Sequence, residues 1–204
     1  KQMCGRFSLM VQLSDLQLEF GLRGLPSSFT PSDNISPGSN IPVITNQNPD
    51  TLDYFYWGLI PAWAKDISIA RNTFNARAET LSEKPSFKNA FKRRRCIIPA
   101  TGYYEWKKTE TGKIPYLFTV KELSIISFAG LWEYWMDANG NEIYSTTIIT
   151  CPANEYAAAF HDRMPVILKR DQRKIWLGES PESELRLLLE PIHSDELKAT
   201  PADL

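Results

Sequence analysis

The chain has 204 residues, of which 43% are hydrophobic, enough to bury the core of one compact domain. Its net charge of −1 excludes binding to nucleic acid through overall charge and leaves only local basic patches for that purpose. Three cysteines without C-x-x-C spacing argue against a disulfide framework and a zinc site, and the lack of a run of about eighteen apolar residues argues against a transmembrane helix.

The amino-terminal stretch Met3-Cys4-Gly5-Arg6-Phe7 is the first with a chemical signature. As a first residue, Cys4 would carry an amine of pKa about 7.7 to 8.0 beside a thiol of pKa about 8.5, and both can attack one electrophilic carbon. Gly5 lets the backbone approach a ligand closely, and Arg6 can bind a phosphate or carboxylate. A buried cysteine on a first strand is the alternative that these residues leave open.

The remaining pattern predicts mostly short strands. Phe7 to Met10 is expected to be a strand, followed by a helix that Ser14 caps and that ends at Gly21. Residues 24–40 have the composition of a loop. Apolar runs and alternations predict strands over 41–45, 52–60, 73–79, 96–99, 114–120, 125–132 and 143–150. Helical spacing predicts helices over 86–94, 154–160, 171–177 and 184–189.

Two polar residues and one tryptophan are candidates for a binding cleft. Asn75 and Arg77 are two positions apart on a predicted strand, so they should face the same side. Trp63 follows a predicted strand end, where it could stack on a nucleobase or pack in the core. Both interpretations of Trp63 stay open from the sequence.

The predicted helix over 86–94 ends in a basic run. Five cations, namely Lys88, Lys92, Arg93, Arg94 and Arg95, fall within eight positions. Such a patch can bind phosphates even in a protein without net positive charge, although a solvated helix end is the alternative. Cys96, which follows the run, is expected to be an inert core thiol.

Glu105 and His161 are the candidate acid-base groups. Glu105 lies between Tyr104 and Trp106, and burial there is expected to raise its pKa toward the range useful for proton transfer, unless it is a glutamate at an exposed rim. His161 stands between a helix and a strand and is flanked by an acid and a base, a setting typical of a titratable site residue. We assign no role to His193.

Seven blocks of sequence together resemble one known family. They are Cys4-Gly5-Arg6, Trp57-Gly58-Leu59-Ile60-Pro61, Asn75-Ala76-Arg77-Ala78-Glu79-Thr80, Arg95-Cys96-Ile97-Ile98-Pro99, Tyr104-Glu105-Trp106, Ala129-Gly130-Leu131-Trp132-Glu133 and His161-Asp162-Arg163-Met164-Pro165-Val166. In this order they resemble the SOS response-associated peptidase (SRAP) family, the abasic-site processing proteins. The resemblance runs from Cys4 to about Lys169.

The resemblance implies a fold and a function. The fold would be α+β, a single compact SRAP domain over 4–190 on a curved, mainly antiparallel β-sheet with short flanking helices. The function would be to sense abasic sites in single-stranded DNA and to form a covalent thiazolidine crosslink through Cys4, protecting the site from strand scission. Autoproteolytic removal of the preceding residues is a possible second activity of the family. We expect a cytoplasmic monomer that joins the nucleoid when bound to DNA, with no membrane association, cofactor or metal.

The resemblance also implies roles for single residues. Cys4 would be the nucleophile, with Asn75, Glu105 and His161 at the other active-site positions, while Arg6, Trp63 and Arg77 would line the DNA groove. Glu105 would accept a proton from the amine, and His161 would deliver one to the sugar ring oxygen. The cations Lys92, Arg93 and Arg94 would add contacts to phosphates.

Two features depart from the family pattern, and two other functions remain open. Lys1 and Gln2 precede Met3, as a cloning remnant, an upstream start or a removable segment, and crosslinking requires that residues 1–3 be lost so that Cys4 is first. No closing strand is predicted after Leu189, so residues 191–204 are expected to be a tail.

An amino-terminal-nucleophile hydrolase, such as a glutamine amidotransferase, also begins Cys-Gly. A non-covalent nucleic-acid or protein-binding module would never expose Cys4 as a terminus.

Overall fold

A computed structural model describes residues 5–110 and 112–204, so Cys4 lies outside the described residues. Within these ranges the strands are β1 (Phe7–Leu9), β2 (Ser32–Ile35), β3 (Asn40–Thr45), β4 (Asp53–Trp57), β5 (Asn75–Arg77), β6 (Arg95–Ala100), β7 (Gly102–Thr109), β8 (Gly112–Val120), β9 (Ile126–Met136), β10 (Glu142–Pro152), β11 (Arg163–Pro165), β12 (Ile167–Leu168) and β13 (Leu197–Pro201). The helices are α1 (Leu13–Phe20), α2 (Lys88–Arg93), α3 (Glu155–Ala158), α4 (Arg170–Leu177) and α5 (Glu182–Leu187), with 3-10 turns over Ile67–Asn72, Ala78–Thr80 and Ser194–Glu196.

The strands divide between two sheets. One sheet has the order β13-β8-β7-β1-β2, and the other has the order β11-β10-β4-β3-β6-β9-β12 with β5 attached to β10. Because β9 pairs with both β6 and β10, the second sheet closes into a barrel of β10, β4, β3, β6 and β9. Most pairs are antiparallel, whereas β4 and β5 run parallel to β10. The predicted α+β class with mainly antiparallel strands is confirmed, on two sheets rather than one.

Aromatic packing joins the two sheets. Phe7 on β1 contacts Trp57 on β4 and Phe128 on β9, with ring centroids 5.2 and 5.9 Å apart. All three rings are almost completely buried. Edge-to-face aromatic pairs contribute roughly 0.5 to 1.5 kcal/mol each beyond area burial. The start of β1, next to Gly5, is therefore fixed against the barrel.

The carboxyl-terminal segment is a strand rather than the expected tail. β13 pairs antiparallel with β8, from Leu197 opposite Val120 to Pro201 opposite Tyr116. Leu197 is only 2% exposed, so it anchors this edge strand to the core. The apolar pattern is weak because an edge strand with one buried side chain needs no continuous hydrophobic run, and a proline at its end is tolerated there.

Smaller differences also have local causes. Helix α1 begins one residue before the predicted cap, because the backbone N–H of Gln12 donates to the Asp15 carboxylate at 2.8 Å and fixes the first turn. Gly21 ends α1 as expected, with a φ of 65° that favours glycine. The predicted loop over 24–40 contains β2, which pairs with β1. In the ranges that the structure covers, no helix is long and apolar enough to cross a membrane.

Candidate active site and nucleic-acid interface

The pairing of β1 with β7 brings the amino-terminal stretch to Glu105. Phe7 lies opposite Tyr103, and the backbone N–H of Tyr104 donates to the Arg6 carbonyl at 2.9 Å. Continuing this antiparallel register by two residues places Gly5 at the level of Glu105. Since Gly5 is covalently bonded to Cys4, the attachment point of the predicted nucleophile lies beside the predicted base.

Two neighbouring cavities surround this point. The Gly5 cavity, of about 330 Å³, is lined by Gly5, Arg6, Ser36, Pro37, Trp106 and Lys113. The His161 cavity, of about 490 Å³, is lined by Glu105, Trp106, Lys108, Lys113, Ala158, Phe160, His161 and Asp162. Trp106 and Lys113 line both cavities, so the two cavities are neighbours along the β7–β8 hairpin. The fold thus places Gly5 and Arg6 at one cavity and Glu105 and His161 at its neighbour. Their roles in one active site stay a prediction.

Glu105 is buried, with 6% of its surface exposed. The alternative of an exposed rim glutamate is therefore wrong. A carboxylate in such a position has lost most of its hydration and is held in one orientation by its surroundings. Both properties suit a group that accepts a proton at a fixed point, although its catalytic role stays a prediction.

His161 lies in the turn between α3 and β11. Its Nδ1 accepts a hydrogen bond from the Arg163 backbone N–H at 3.0 Å and lies 2.9 Å from the Asp162 carboxylate. The side chain is 14% exposed, and its Nε2 atom is buried without a hydrogen-bond partner within the described residues. A buried polar nitrogen on a cavity wall is free to bind a substrate atom.

Asn75 and Arg77 lie on β5, which runs parallel to β10. Asn75 is level with Ile148 and Arg77 with Thr150, so their side chains share a face as predicted. Asn75 is half-buried and Arg77 is exposed. β11 pairs with the end of the same strand, Thr150 opposite Pro165. β10 is therefore the common support of the Asn75 and His161 segments.

The basic run over 88–95 has two structural functions that sequence reasoning missed. Arg95 is 3% exposed and donates to the carbonyls of Trp176, Phe91, Lys92 and Gly178 at 2.6 to 3.0 Å, and burial lowers its pKa. Arg94 donates to the Glu133 carboxylate at 2.8 Å and lies over the Trp132 ring. This pairing makes Arg94 a weaker candidate for binding DNA than the sequence suggested.

Lys92, Arg93 and Trp63 remain available at the surface. Both cations are exposed at the end of α2. Trp63 is 57% exposed, so the core-packing alternative is wrong, and its ring nitrogen reaches only the Pro85 carbonyl at 3.4 Å. An exposed indole offers a face on which a base can stack. These three residues do not line the two cavities, and their contact with DNA stays a prediction.

The β7–β8 hairpin supplies cations that the sequence analysis overlooked. Lys108 on β7 is the direct cross-strand partner of Lys113 on β8, and both line the His161 cavity. They were missed because their proximity depends on strand register and not on sequence spacing. Trp106, two residues before Lys108, has no role of its own in the sequence pattern, yet it lines both cavities.

The other two cysteines are not site residues. Cys96 and Cys151 are completely buried free thiols, and burial raises the pKa of each to about 12. The prediction that Cys96 is an inert core thiol is confirmed. In residues 5–110 and 112–204, no group of three or more His, Cys, Asp or Glu side chains is arranged to hold a metal ion.

Comparisons with known proteins agree on one family. A family model described as SOS response associated peptidase (SRAP) matches residues 3–203. The abasic site processing protein YoqW of Bacillus subtilis (strain 168) is 43% identical over 97% of this chain and 91% of its own length. The abasic site processing protein HMCES of Xenopus tropicalis is 31% identical over 84% of this chain and 61% of its own length. The crystal structure of a Bacteroides thetaiotaomicron protein has a TM-score of 0.91 and 30% identity, over 98% of this chain and 92% of that chain.

Proposed function

Since this chain belongs to the SOS response-associated peptidase (SRAP) family, we propose that it recognises abasic sites in single-stranded DNA and attaches to them covalently through Cys4. The relatives named above are abasic site processing proteins. The observation that carries the proposal is the pairing of β1 with β7, whose register leads from Phe7 opposite Tyr103 toward Gly5 and Glu105. The cavity beside Gly5 adjoins the cavity that contains Glu105 and His161. Attachment requires that Lys1, Gln2 and Met3 be removed, so that Cys4 has a free amine.

The covalent step uses both groups of the amino-terminal cysteine. The amine adds to the aldehyde carbon C1′ of the opened deoxyribose, and loss of water gives a Schiff base. The thiol sulfur then adds to the same carbon while its proton goes to the nitrogen, which closes a five-membered thiazolidine. The adduct weighs one water less than the sum of its parts. A thiazolidine lacks the easy β-elimination of an imine, so the strand is protected from scission.

Three side chains assist this reaction. Glu105 accepts the proton that the amine must lose before it attacks. The Nε2 atom of His161, buried at the cavity wall, gives its proton to the ring oxygen of the closed sugar. The C1′–O4′ bond breaks, the C1′ hydroxyl proton returns to the imidazole, and the aldehyde forms. Asn75 holds a sugar oxygen through its amide. The burial of Glu105 and the cavity that it shares with His161 support the roles of these two residues, and the position of Asn75 on β5, beside β10, supports the third.

The DNA strand follows the two cavities past Trp106. Arg6 and Lys113 line the Gly5 cavity, and Lys108 and Lys113 line the His161 cavity. Each cavity therefore has two cationic side chains that can bind phosphates. Like charges placed directly across a hairpin destabilise it, so the Lys108–Lys113 pair is better explained by an anion between them than by folding. Trp63, Arg77, Lys92 and Arg93 have exposed side chains outside these cavities and are further candidate contacts for the strand.

Intact mass spectrometry tests the function directly. We expect protein that begins at Cys4 to gain the mass of an oligonucleotide with one abasic site, less one water, and Cys4→Ala to form no adduct. An oligonucleotide of the same length and sequence without an abasic site is the control for non-specific attachment. Protein that begins at Cys4 and forms no adduct would exclude the crosslinking function.

Two further measurements address the other candidates. Ammonia release from glutamine would favour an amino-terminal-nucleophile hydrolase. Equal DNA affinity of wild type and Cys4→Ala, without any adduct, would favour a non-covalent binding module. Autoproteolysis is tested on protein that still carries Lys1 to Met3: loss of these residues in the wild type, but not in Cys4→Ala, supports self-cleavage.

A further inference from the structure

The imidazole of His161 has two competing partners at one nitrogen. Nδ1 accepts a hydrogen bond from the Arg163 backbone N–H at 3.0 Å, and the Asp162 carboxylate oxygen lies 2.9 Å from the same atom. The neutral ring carries one proton. When Nδ1 accepts the Arg163 N–H, that proton must be on Nε2. When Nδ1 instead donates to Asp162, Nε2 is left as an acceptor.

The side chain of Arg163 fixes the position of its own backbone N–H. The guanidinium is buried and binds the Glu79 carboxylate through both of its terminal nitrogens, with Nη2 2.8 Å from Oε2. Nη2 also donates to the Thr150 carbonyl on β10 at 2.7 Å. Bidentate pairing of this kind fixes orientation as well as position. The hydrogen bond from Arg163 holds the pKa of Glu79 below its ordinary value, so Glu79 is the anionic partner.

Glu79 connects this pair to the other side of the site. It lies two residues after Arg77, in the 3-10 turn that follows β5. The residues are 84 positions apart in sequence, yet the pair joins the β5 segment, which carries Asn75, to the β11 segment, which follows His161. Glu79 is 47% exposed, whereas the Arg163 side chain is 8% exposed, so the buried guanidinium depends on this carboxylate for compensation of its charge.

We propose that Glu79 and Arg163 are a positioning pair that keeps the Arg163 N–H on Nδ1 of His161, so that the neutral ring presents an N–H at Nε2 to the cavity. Asp162 is the competing partner, and Glu105, Lys108 and Lys113 are the other charged groups that line the same cavity. Without the pair, the Arg163 N–H no longer donates to Nδ1. The ring proton then lies on Nδ1 and is donated to the Asp162 carboxylate, and Nε2 becomes an acceptor. The effect on crosslinking rests on the proposed function, but the tautomer does not.

Nitrogen-15 NMR of the imidazole rings tests the tautomer without any DNA. The chain has two histidines. The His193 side chain is 82% exposed, directly before the turn Ser194–Glu196, and does not line the cavity, so it is an internal reference. At about pH 9, well above the ordinary imidazole pKa of about 6.5, we expect the His161 signals of the Nε2–H tautomer in the wild type. In Glu79→Gln we expect a shift toward the Nδ1–H tautomer, while the His193 signals stay the same.

Two variants sharpen this experiment. Glu19→Gln is the matched control, because Glu19 binds Arg170 and Arg173 in another part of the fold and its loss removes a similar ion pair. It should leave the His161 signals unchanged. Adding Asp162→Ala to Glu79→Gln removes the competing partner and should restore the Nε2–H pattern. A wild type with the proton on Nδ1, or a Glu79→Gln protein with unchanged His161 signals, overturns the proposal.

Crosslinking kinetics give a second, separate readout. We expect Glu79→Gln to lower the rate constant at saturating DNA by about tenfold or more, as for the loss of an acid-base group, and the double variant to recover part of it. Affinity should not weaken, because the change removes a negative charge beside Arg77. If Glu79→Gln unfolds, Arg163→Lys serves instead, since it keeps the charge but loses the bidentate geometry. A wild type that never crosslinks refutes the function and leaves the NMR result valid.

Discussion

Lys108 on β7 lies directly opposite Lys113 on β8, and both side chains line the cavity that contains Glu105 and His161. Two like charges in this arrangement oppose hairpin pairing unless an anion lies between them. A DNA phosphate is such an anion. The pair therefore yields a prediction about affinity that is independent of the covalent step.

We expect the double substitution Lys108→Ala and Lys113→Ala to weaken binding of single-stranded DNA and to reduce its dependence on salt. Each lost phosphate contact lowers the slope of log affinity against log salt by about 0.7 on a single strand, so two contacts lower it by about 1.4. The measurement is a fluorescence anisotropy titration of Cys4→Ala protein at several salt concentrations. Alanines at Lys121 and Lys198, at the other end of the same sheet, are the matched control. An unchanged slope contradicts the prediction.

A second prediction concerns the reactivity of the three thiols. Cys96 and Cys151 are buried and have pKa values raised to about 12, so at pH 8 only about one in ten thousand of either thiol is ionised. We therefore expect native protein to react with iodoacetamide once, at Cys4, and unfolded protein to react three times. Peptide mass spectrometry identifies the labelled residue. Labelling of native Cys4→Ala at Cys96 or Cys151 would contradict the inert state of these thiols.

The sequence predicted those site residues whose chemistry is visible locally. Glu105 is an acid among aromatic residues, and His161 is a histidine at the entry to a strand, so each stands out within a few positions. Two other pairs do not stand out in the sequence. Lys108 meets Lys113 only through strand register, and Glu79 meets Arg163 across 84 positions of sequence. Arg93 and Arg95 look equivalent in the basic run, and only the packing of α4 against β6 separates them.

The fold could be predicted to a similar extent. The five strands of the barrel have strong apolar patterns, and the sequence predicts all five. β13 was missed because backbone pairing at a sheet edge needs little hydrophobic surface. β2 was missed for a related reason, since the sequence Ser-Asp-Asn-Ile has turn-forming residues and becomes a strand by pairing with β1.

A third prediction tests Glu105 as the proton acceptor. Glu105→Gln keeps the shape of the side chain but removes its basicity, and general base catalysis contributes about 10²- to 10⁴-fold. We expect the single-turnover crosslinking rate at pH 7 to fall within that range while the final adduct mass is unchanged. Glu110→Gln, at the exposed end of the same hairpin, is the control. A wild-type rate at several pH values would remove the assigned role of Glu105.

The last prediction separates the two functions of the basic run. Arg95 donates to four carbonyl groups beneath α2 and α4, so Arg95→Ala leaves buried acceptors without donors. We expect its free energy of unfolding to fall by roughly 2 to 4 kcal/mol in urea titrations. Arg93 is exposed, and Arg93→Ala should change stability by less than about 0.5 kcal/mol.

DNA binding should follow the opposite order for these two variants. Arg93→Ala should weaken the affinity for single-stranded DNA and lower the salt slope by about 0.7, because it removes one exposed cation. Arg95→Ala, measured at a temperature where it is folded, should keep the wild-type slope, since its guanidinium is already saturated by carbonyl groups within the fold. A reduced salt slope in Arg95→Ala, or a large loss of stability in Arg93→Ala, would contradict the assignment of a folding role to the buried Arg95 and a DNA-binding role to the exposed Arg93.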